Sequence, residues 1–406
     1  MPTTYTTTIK SAGGDYATVA LFESGQNVGD FTIVWGAVVS GGAGTFTAGE
    51  TINFVGSGAT GTFRFLTSGV LRFDKTAGTP VAGDVATGVT SLATRTVDSI
   101  SYTDGEVRVG EIYDVNPTTV LTIDGATTDA TRYLELTVNS AYRHAGLWST
   151  GKQNWQVSDT STILFLQDSF VRVSYFQIKN THATAGGGCI ALNATGCRVE
   201  QCILWETDAS PGDSSCGVYV GAAGTNAIIR NSVCYNHFNG IFFHTTATGG
   251  EIDNCITTAN DNAGVRTQSL GSGLLLKNHY SGGNTNRNYN EAGNLDITDW
   301  TCTTSMSSNT EVTEPGITNS IAWSTANFTN VTAGSIDVHL VTGSALINVA
   351  TDLSASFTID YLGATRPTGA NTWDVGPHEF VAAGGRIFAL AGNGGGLVGK
   401  SRGLAG

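Results

Sequence analysis

The sequence predicts an all-β protein built around a right-handed parallel β-helix, a solenoid in which each coil of strands stacks on the previous one. A short pattern recurs every 23 to 30 residues in the middle third of the chain, and four of its five copies return to an apolar residue four or five positions after an aliphatic one. The copies begin at Val173, Val199, Ile229, Ile252 and Leu275. A period in this range is typical of stacked supersecondary units, none of which is stable alone.

The composition favours the same fold class. The 406 residues include 53 glycines, and short β-branched runs are interrupted by Gly, Asn, Asp and Ser. Long stretches rich in Ala, Leu, Glu and Lys, which favour helices, are absent from the sequence. This pattern is typical of many short strands joined by turns. A hydrophobic content of 40 % is sufficient for a core.

The first 98 residues divide into two predicted units. Residues 1–30 contain a Gly-Gly-Asp turn and a short candidate helix, and we interpret them as a cap, because an uncovered coil edge invites pairing with another chain. Residues 31–98 form a predicted insertion in which residues 46–52 match residues 81–85 at an offset of 34 residues. Two pseudo-repeats of this kind indicate a small β-barrel or sandwich. A pair of hairpins in a long loop is the alternative.

The predicted coils occupy residues 99–310. Coils of roughly 25 residues would give about eight turns, and a spacing of ~4.8 Å between them gives a rod of ~40 Å. A second strand per coil is predicted at 190–192, 218–220, 241–243 and 265–267. Residues 311–380 form a terminal region of the solenoid, and residues 381–406 form a Gly-rich docking tail.

The net charge of −13 argues against a nucleic-acid partner, because such proteins carry a basic surface. The opening MPTTYTTTIKSAGGDY lacks the basic region and the apolar run of a secretory signal. No stretch of 18 apolar residues occurs, so we expect no membrane span. The sequence therefore predicts a protein that is synthesised and folds in a cytosol.

The seven cysteines are predicted to be buried, reduced thiols that pack as small apolar residues. An odd number leaves at least one unpaired, and the spacing of Cys and His fits no zinc site, so we expect no metal. The segment Gly394–Ser401 satisfies the phosphate-loop pattern, but that loop needs a strand before it and a long helix after it. Because neither is predicted, we expect no nucleotide and no other cofactor.

Acidic residues in the turns are the candidate catalytic groups for glycan chemistry. Two suitably separated carboxylates can hydrolyse a glycosidic bond, whereas a lyase needs a cation for the developing carbanion. If the chain is an enzyme, Asp208 or Asp213 should line one solvent groove together with Asp261 and His237, above an aromatic floor. The alternative is that these carboxylates are solvated turn residues, which Asp favours for local hydrogen-bonding reasons.

Aromatic residues around the coils have two interpretations. They could form a stacking surface for sugars, or they could form rungs inside the solenoid; the residues concerned are Trp148, Trp155, Trp205, Tyr235, Phe238 and Tyr280. His237 lies in an Asn-rich turn, and we take it with Phe238 and Tyr235 as the ligand-contact candidates, the alternative being a structural histidine. Asn231 and Asn254 occupy matched positions in successive coils and are predicted to satisfy backbone groups at a corner.

Three segments resemble a known family. The opening IKSAGGDYATVALFE resembles the entry segment of pectate-lyase-like, right-handed parallel β-helix proteins encoded by bacteriophages, and the unit GETI…GSGATGTF resembles small β-modules common in phage virion proteins. The closing pattern D-x-x-G-x-x-R-P followed by W-D-V-G-P-H-E resembles the terminal motif of many β-helix surface proteins. Its structural residues here are Asp360, Gly363, Arg366, Asp374, Gly376 and Glu379. We expect Arg366 to bind one of the last two carboxylates and fix the final turn.

The resemblance implies a non-enzymatic structural component of a tailed bacteriophage virion. It would lie on the capsid or tail surface as a decoration, spike or fibre protein, would contact other virion proteins and copies of itself, and would touch host-surface glycans. The tail would dock through Arg386, Ile387, Phe388 and Leu390. The alternative on the same fold is a polysaccharide depolymerase, either lyase or hydrolase. A bacterial adhesin is the third possibility, and the missing secretion signal argues against it.

Overall fold

Strands in successive coils pair in parallel, and each coil returns to the same three sheets. The computed structural model describes residues 2–26, 29–30, 34–103, 106–182, 187–207, 215–268, 273–291, 300–309, 315–332, 334–369 and 372–381. Within these ranges one helix occurs, α1 (Val19–Gln26), which is too short to cross a membrane.

The strands are short, as expected for a solenoid. Their bounds are β1 Thr3–Ile9, β2 Gly29–Asp30, β3 Val34–Ser40, β4 Thr51–Val55, β5 Ala59–Thr67, β6 Val70–Ala77, β7 Val85–Gly88, β8 Thr94–Thr103, β9 Glu106–Ile112, β10 Leu121–Ile123, β11 Ala126–Thr127, β12 Leu134–Val138, β13 Trp155–Val157, β14 Leu164–Leu166, β15 Arg172–Ser174, β16 Gln177–Asn180, β17 Ile190–Leu192, β18 Arg198–Glu200, β19 Ile203–Glu206, β20 Cys216–Val220, β21 Ile228–Arg230, β22 Val233–Tyr235, β23 Asn239–Phe243, β24 Glu251–Asp253, β25 Ile256–Thr258, β26 Ala263–Thr267, β27 Leu275–Lys277, β28 Tyr280–Gly282, β29 Arg287–Glu291, β30 Thr301–Thr303, β31 Ser305–Ser307, β32 Ile317–Thr318, β33 Phe328–Asn330 and β34 Asp337–Leu340.

Three parallel sheets form the solenoid. Sheet 1 has the order β1-β9-β12-β15-β18-β21-β24-β27-β30, sheet 2 has the order β13-β16-β19-β22-β25-β28-β31-β32, and sheet 3 has the order β10-β14-β17-β20-β23-β26-β29. The chain visits sheets 1, 2 and 3 in turn, and the seven strands of sheet 3 mark seven turns, one fewer than the sequence suggested. The predicted all-β fold class and the parallel β-solenoid are confirmed.

The recurring sequence pattern is the sharp corner between sheets 1 and 2. The strands on either side are separated by two residues in five successive coils and by one residue in the sixth, and the residue that follows the sheet 1 strand has a positive φ in all six. The six residues are Tyr175, Gln201, Asn231, Asn254, Asn278 and Thr304, with φ between 47° and 65°. Because this left-handed region is sterically costly for most L-residues and Asn is enriched there, three asparagines stack in consecutive coils.

The interior is apolar and closed at its first coil by α1. The central residues of the sheet 1 strands, such as Val173, Val199 and Ile229, are fully buried. Phe22 of α1 packs on this core, and a Cβ at position 110 would lie 2.8 Å from its ring. Gly110 is therefore required for the close approach of the cap.

Residues 34–103 form a closed antiparallel barrel with the ring order β3-β6-β5-β4-β7-β8, rather than two hairpins in a loop. The predicted boundary at residue 98 falls inside β8. The 34-residue offset of the sequence reappears as a reciprocal contact. Asp84 accepts hydrogen bonds from the backbone and hydroxyl of Ser57 at 2.8 and 2.6 Å, and Glu50 accepts the equivalent bonds from Ser91 at 2.9 and 2.6 Å. The barrel is therefore two intertwined copies of one three-stranded unit.

The described residues from 319 to 381, which we call the C-terminal cover, pack on the outer face of sheet 2. They contain the antiparallel pair β33–β34 and bury a second apolar core against sheet 2. The stacked asparagine corners hold this segment. Asn231 Nδ2 donates to the Ile359 carbonyl at 2.9 Å, and Asn278 exchanges two hydrogen bonds with the backbone of Thr351 at 2.8 and 2.9 Å.

Arg366 is the centre of the clamp that ends the cover. Its Nη1 donates to Glu379 Oε2 at 2.7 Å, and its Nη2 donates to the Gly376 and Pro377 carbonyls at 3.0 and 2.9 Å. Asp374 instead binds the backbone N–H of Asn348 at 2.7 Å. Burial raises the pKa of Glu379 to about 7, and it also raises the pKa of Asp374.

Candidate functional site

The penultimate residues of the sheet 3 strands from β14 onward form one outward-facing column along the solenoid. Register pairs Phe165 with Ala191, Ala191 with Tyr219, and so on through the outer column of sheet 3, which consists of Phe165, Ala191, Tyr219, Phe242, Arg266 and Asn290. Their strand neighbours, for example Ile241 and Val265, are fully buried in the interior. The column therefore lies on the outer face of a strand alternation, although two of its members, Ala191 and Asn290, are themselves buried.

Two aromatic rings and one guanidinium are in contact in this column. The ring centroids of Tyr219 and Phe242 lie 5.7 Å apart, and Arg266 Cζ lies 5.1 Å from the centroid of Phe242. These side chains are half-buried, and the two rings belong to none of the apolar clusters formed by the described residues. The arrangement leaves aromatic surface available to a ligand beside a cation.

A shallow pocket of about 500 Å³ lies over the Arg266 end of the column. The described residues that line it are Phe238, Phe242, Asn262, Arg266, Gln268 and Asn290, and none of these six carries a carboxylate. Arg266 Nε is buried without a hydrogen-bond partner among the described residues, and no carboxylate oxygen within them lies within 4.0 Å of its guanidinium. A buried polar atom without a partner is costly, so an acceptor brought by a ligand would be bound favourably here.

Amide side chains, aromatic faces and a cation can bind a polar ring compound. They cannot supply the two carboxylates that glycoside hydrolysis requires. In the described parts of the chain, no group of three or more His, Cys, Asp or Glu side chains could hold a metal ion. The described residues of this pocket are therefore suited to binding such a compound.

Phe238 is the ligand-contact candidate that lies at this pocket. The prediction for His237 is corrected, because its side chain is fully buried inside the solenoid. The backbone N–H of His237 donates to Asn260 Oδ1 at 3.0 Å, which fixes the corner with the imidazole turned inward. The structural alternative for this histidine is therefore the correct one.

A buried polar cluster surrounds His237. Glu206 Oε2 and Ser215 Oγ lie 3.4 and 3.3 Å from its Nδ1, Cys189 Sγ lies 3.9 Å from its Nε2, and Ser215 also donates to Glu206. All four side chains are fully buried. Burial raises the pKa of the Cys189 thiol well above its ordinary value, so the thiol is protonated and unreactive at neutral pH.

Tyr235 is also corrected as a ligand contact, because it is 2 % exposed beneath the C-terminal cover. Its ring stacks on Trp205 with centroids 5.5 Å apart, and Tyr280 packs in the same covered layer. Trp155 instead lies in the solenoid interior. These four aromatic residues are buried, as the interpretation of aromatic rungs inside the solenoid required. Three of them, however, lie between sheet 2 and the cover rather than inside the coils.

The predicted catalytic groove does not form from the residues that the structure describes. Asp261 is a half-buried turn residue whose carboxylate accepts a long bond of 3.5 Å from the Thr285 hydroxyl, while the His237 side chain lies in the interior. Asp208 and Asp213 lie outside the described residues, as do the proposed anchoring residues Arg386, Ile387, Phe388 and Leu390.

The sequence contained a signal for the outer column. Tyr219, Phe242 and Arg266 are each the middle residue of a predicted second strand, flanked on both sides by residues that face the core. Strand alternation alone would have placed them outward. The turns drew attention instead because polar residues are concentrated there.

No model of a known protein family matches the sequence, and no curated protein matches it. Among solved structures, the chain is similar to the one titled "Crystal structure of pectate lyase Pel9A", with 12 % sequence identity and a TM-score of 0.34 over 68 % of this chain and 88 % of that chain. A likeness of this size carries no argument about activity. The fold assignment rests on the strand registers.

Proposed function

We propose that this chain is a non-catalytic surface protein of a tailed bacteriophage virion, and that its solenoid contacts host-surface glycans through the outer column of sheet 3. The observation that carries the glycan contact is the half-exposed ring pair Tyr219–Phe242 beside Arg266 and three amide side chains. Aromatic rings bury large apolar area with little conformational cost, which suits the faces of sugar rings.

Binding is better supported than cleavage. The described lining residues of the pocket carry no carboxylate, and the catalytic candidate His237 is sealed in the interior. The stacked coils of the solenoid supply a long, regular surface. Release of reducing ends or of unsaturated sugars from a bound polysaccharide would contradict the non-catalytic part of the proposal and would favour a depolymerase.

The virion role rests on the sequence resemblance of the opening segment and of the terminal motif around Arg366. In this role the protein is made in the host cytoplasm and assembled on the capsid or tail, with other virion proteins and copies of itself as partners. Cryo-EM of virions of the phage that encodes the chain tests this role. Density for the solenoid on the capsid or tail supports the role, and virions that lack this protein contradict it.

The glycan contact is tested by binding to immobilised bacterial capsular polysaccharides and lipopolysaccharides. We expect Phe242→Ala to weaken binding of the polysaccharide with the highest affinity about tenfold. A nucleobase stacked on an aromatic side chain contributes on the order of 1–3 kcal/mol, and we expect a sugar ring stacked on Phe242 to contribute a similar free energy. Tyr133→Ala is the matched control, because Tyr133 is a half-buried aromatic on the sheet 1 side. Equal affinity of the wild type and Phe242→Ala would contradict the assignment of this face.

A further inference from the structure

The outer column of sheet 3 changes character along the solenoid. Its first part carries the rings of Phe165, Tyr219 and Phe242, and its last part carries Arg266 and Asn290. Because neighbouring coils are ~4.8 Å apart, the positions from Phe165 to Asn290 span ~24 Å along the axis. A ligand that uses both parts must be extended and must lie parallel to the solenoid axis.

Arg266 is the charged group of this column. Its guanidinium rests on Phe242, has no ion pair among the described residues, and keeps a buried Nε without an acceptor. Two buried arginines of the described regions are neutralised by carboxylates: Arg230 pairs with Glu200 at 3.2 Å and with Asp253 at 2.9 Å, and Arg366 pairs with Glu379 at 2.7 Å. Arg266 differs from these two in having no ion pair among the described residues.

The amides around Arg266 complete an acceptor-binding group. Asn262 and Gln268 line the same pocket and each can donate through its side-chain NH₂. A guanidinium with neighbouring amide donors matches the geometry of a carboxylate, sulfate or phosphate oxygen pair. A neutral sugar would use the rings and amides but would leave the guanidinium without its counter-charge.

Resting on the proposed function, we propose that the outer column of sheet 3 binds a linear polysaccharide that carries acidic groups, with the chain parallel to the solenoid axis and one acidic group paired with Arg266. With a net charge of −13, the protein as a whole repels polyanions, so it should not bind acidic polysaccharides non-specifically. Preference for an anionic polymer must then come from a local contact.

The test uses three polymers with one backbone: hydroxyethyl cellulose, carboxymethyl cellulose and cellulose sulfate. Affinities are measured by biolayer interferometry at constant ionic strength with the full chain. We expect the wild type to bind at least one acidic polymer about tenfold more tightly than the neutral one. The free-energy difference that corresponds to this ratio is about that of one hydrogen bond to a charged group. The carboxylated and sulfated polymers then distinguish which acidic group is preferred.

Arg266→Gln is expected to remove this preference, so that the acidic and neutral polymers bind with affinities within about twofold of each other, while Arg266→Lys retains part of the preference. Arg198→Gln is the matched control, because Arg198 is a half-buried arginine of sheet 1 and makes the same charge change. Circular dichroism melting checks that each variant is folded.

The outcomes separate the two proposals. If Phe242→Ala abolishes binding but Arg266→Gln changes the acidic and neutral polymers equally, the acidic-group inference is overturned and the glycan-binding face stands. If Arg266→Gln and Arg198→Gln weaken acidic binding alike, the effect is one of net charge, and the inference is again overturned. If Phe242→Ala leaves the binding of all three polymers unchanged, the proposed glycan face fails as well.

Discussion

Sheet 2 carries Trp205, Tyr235 and Tyr280 on its outer face, and sheet 3 carries Tyr219 and Phe242 on its own. Both sets arise from the same strand alternation in the same coils. Those of sheet 2 are buried under the C-terminal cover, with Tyr280 fully inaccessible, whereas those of sheet 3 stay half-exposed. Aromatic residues on a solenoid face therefore serve either packing or recognition, and a distant segment of the chain decides which.

The difference lies in the corners rather than in the aromatic residues. The corner between sheets 1 and 2 presents asparagine amides that bind the backbone of the cover at Ile359 and Thr351. Such amides give the cover a defined register, since each bond involves a fixed backbone position. The covered face of sheet 2 and the outer column of sheet 3 should therefore respond differently to substitution.

Replacing one aromatic on each face gives the largest expected contrast. Tyr235→Ala should lower the free energy of unfolding by about 3–5 kcal/mol, because it leaves a cavity between sheet 2 and the cover. Phe242→Ala should lower it by less than about 1 kcal/mol, as for a surface side chain. Denaturant unfolding measures both, and similar values for the two variants would remove the distinction between the faces.

Breaking the clamp should cost somewhat less. Arg366→Met leaves the Glu379 carboxylate buried without its cation. We expect the free energy of unfolding to fall by about 3 kcal/mol. This is at the low end for a broken buried ion pair, because the carboxyl group can take up a proton. Arg132→Met, which breaks the more exposed pair with Asp129, should cost no more than about 1 kcal/mol. A cover that depends on Arg366 should also give a red-shifted tryptophan emission in the first variant; an unchanged spectrum and stability would contradict the clamp.

Two substitutions of Asn278 distinguish the contribution of its hydrogen bonds to the cover from the contribution of backbone strain. Asn278→Gly tolerates the φ of 51° but loses both bonds to Thr351, so we expect a loss of about 1–2 kcal/mol. Asn278→Ala loses the same bonds and adds backbone strain, for roughly 1 kcal/mol more. Thermal and denaturant melts compare the two. Equal stability of the glycine variant and the wild type would mean that the amide does not fasten the cover.

The smallest expected effect is a pH dependence of the cover. The pKa of Glu379 is about 7 in the folded protein and 4.5 as the ordinary value, so the folded state binds the extra proton between these limits. The free energy of unfolding should therefore fall as pH rises from about 4.5 to about 7, by on the order of 1 kcal/mol for this group. Glu379→Gln should remove this contribution; the same slope in the variant would assign it to other groups.

Much of the fold follows from local pattern. The period of the corner, with its positive-φ residue, located sheets 1 and 2, and the offset between Glu50 and Asp84 indicated the repeat inside the barrel. The cover was not predictable in this way. Its fastening joins Asn278 to Thr351, 73 residues away, and such contacts leave no periodic trace.

The candidate site was predicted less well, for a related reason. His237 was judged from the turn that contains it, but side-chain direction at a corner depends on contacts with the next coil, such as the Asn260 bond to the His237 backbone. Within a strand the direction is fixed by alternation, so Phe242 and Arg266 could have been placed outward from their flanking residues. Phe238, next to the strand, was the candidate found at the pocket.

The barrel leaves the solenoid at neighbouring points of the chain. Val34 pairs directly with Thr103, so the first and last barrel strands lie side by side, while β1 and β9 on either side of the insertion pair in sheet 1. Insertions whose ends are close disturb their host little. Recombination could thus delete, acquire or exchange the barrel without changing the register of the coils, and a chain that joins Asp30 to Glu106 through a short glycine linker would show by its melting behaviour whether the rod is independent. Evolution can then vary the projecting module and the rod as separate inheritable parts.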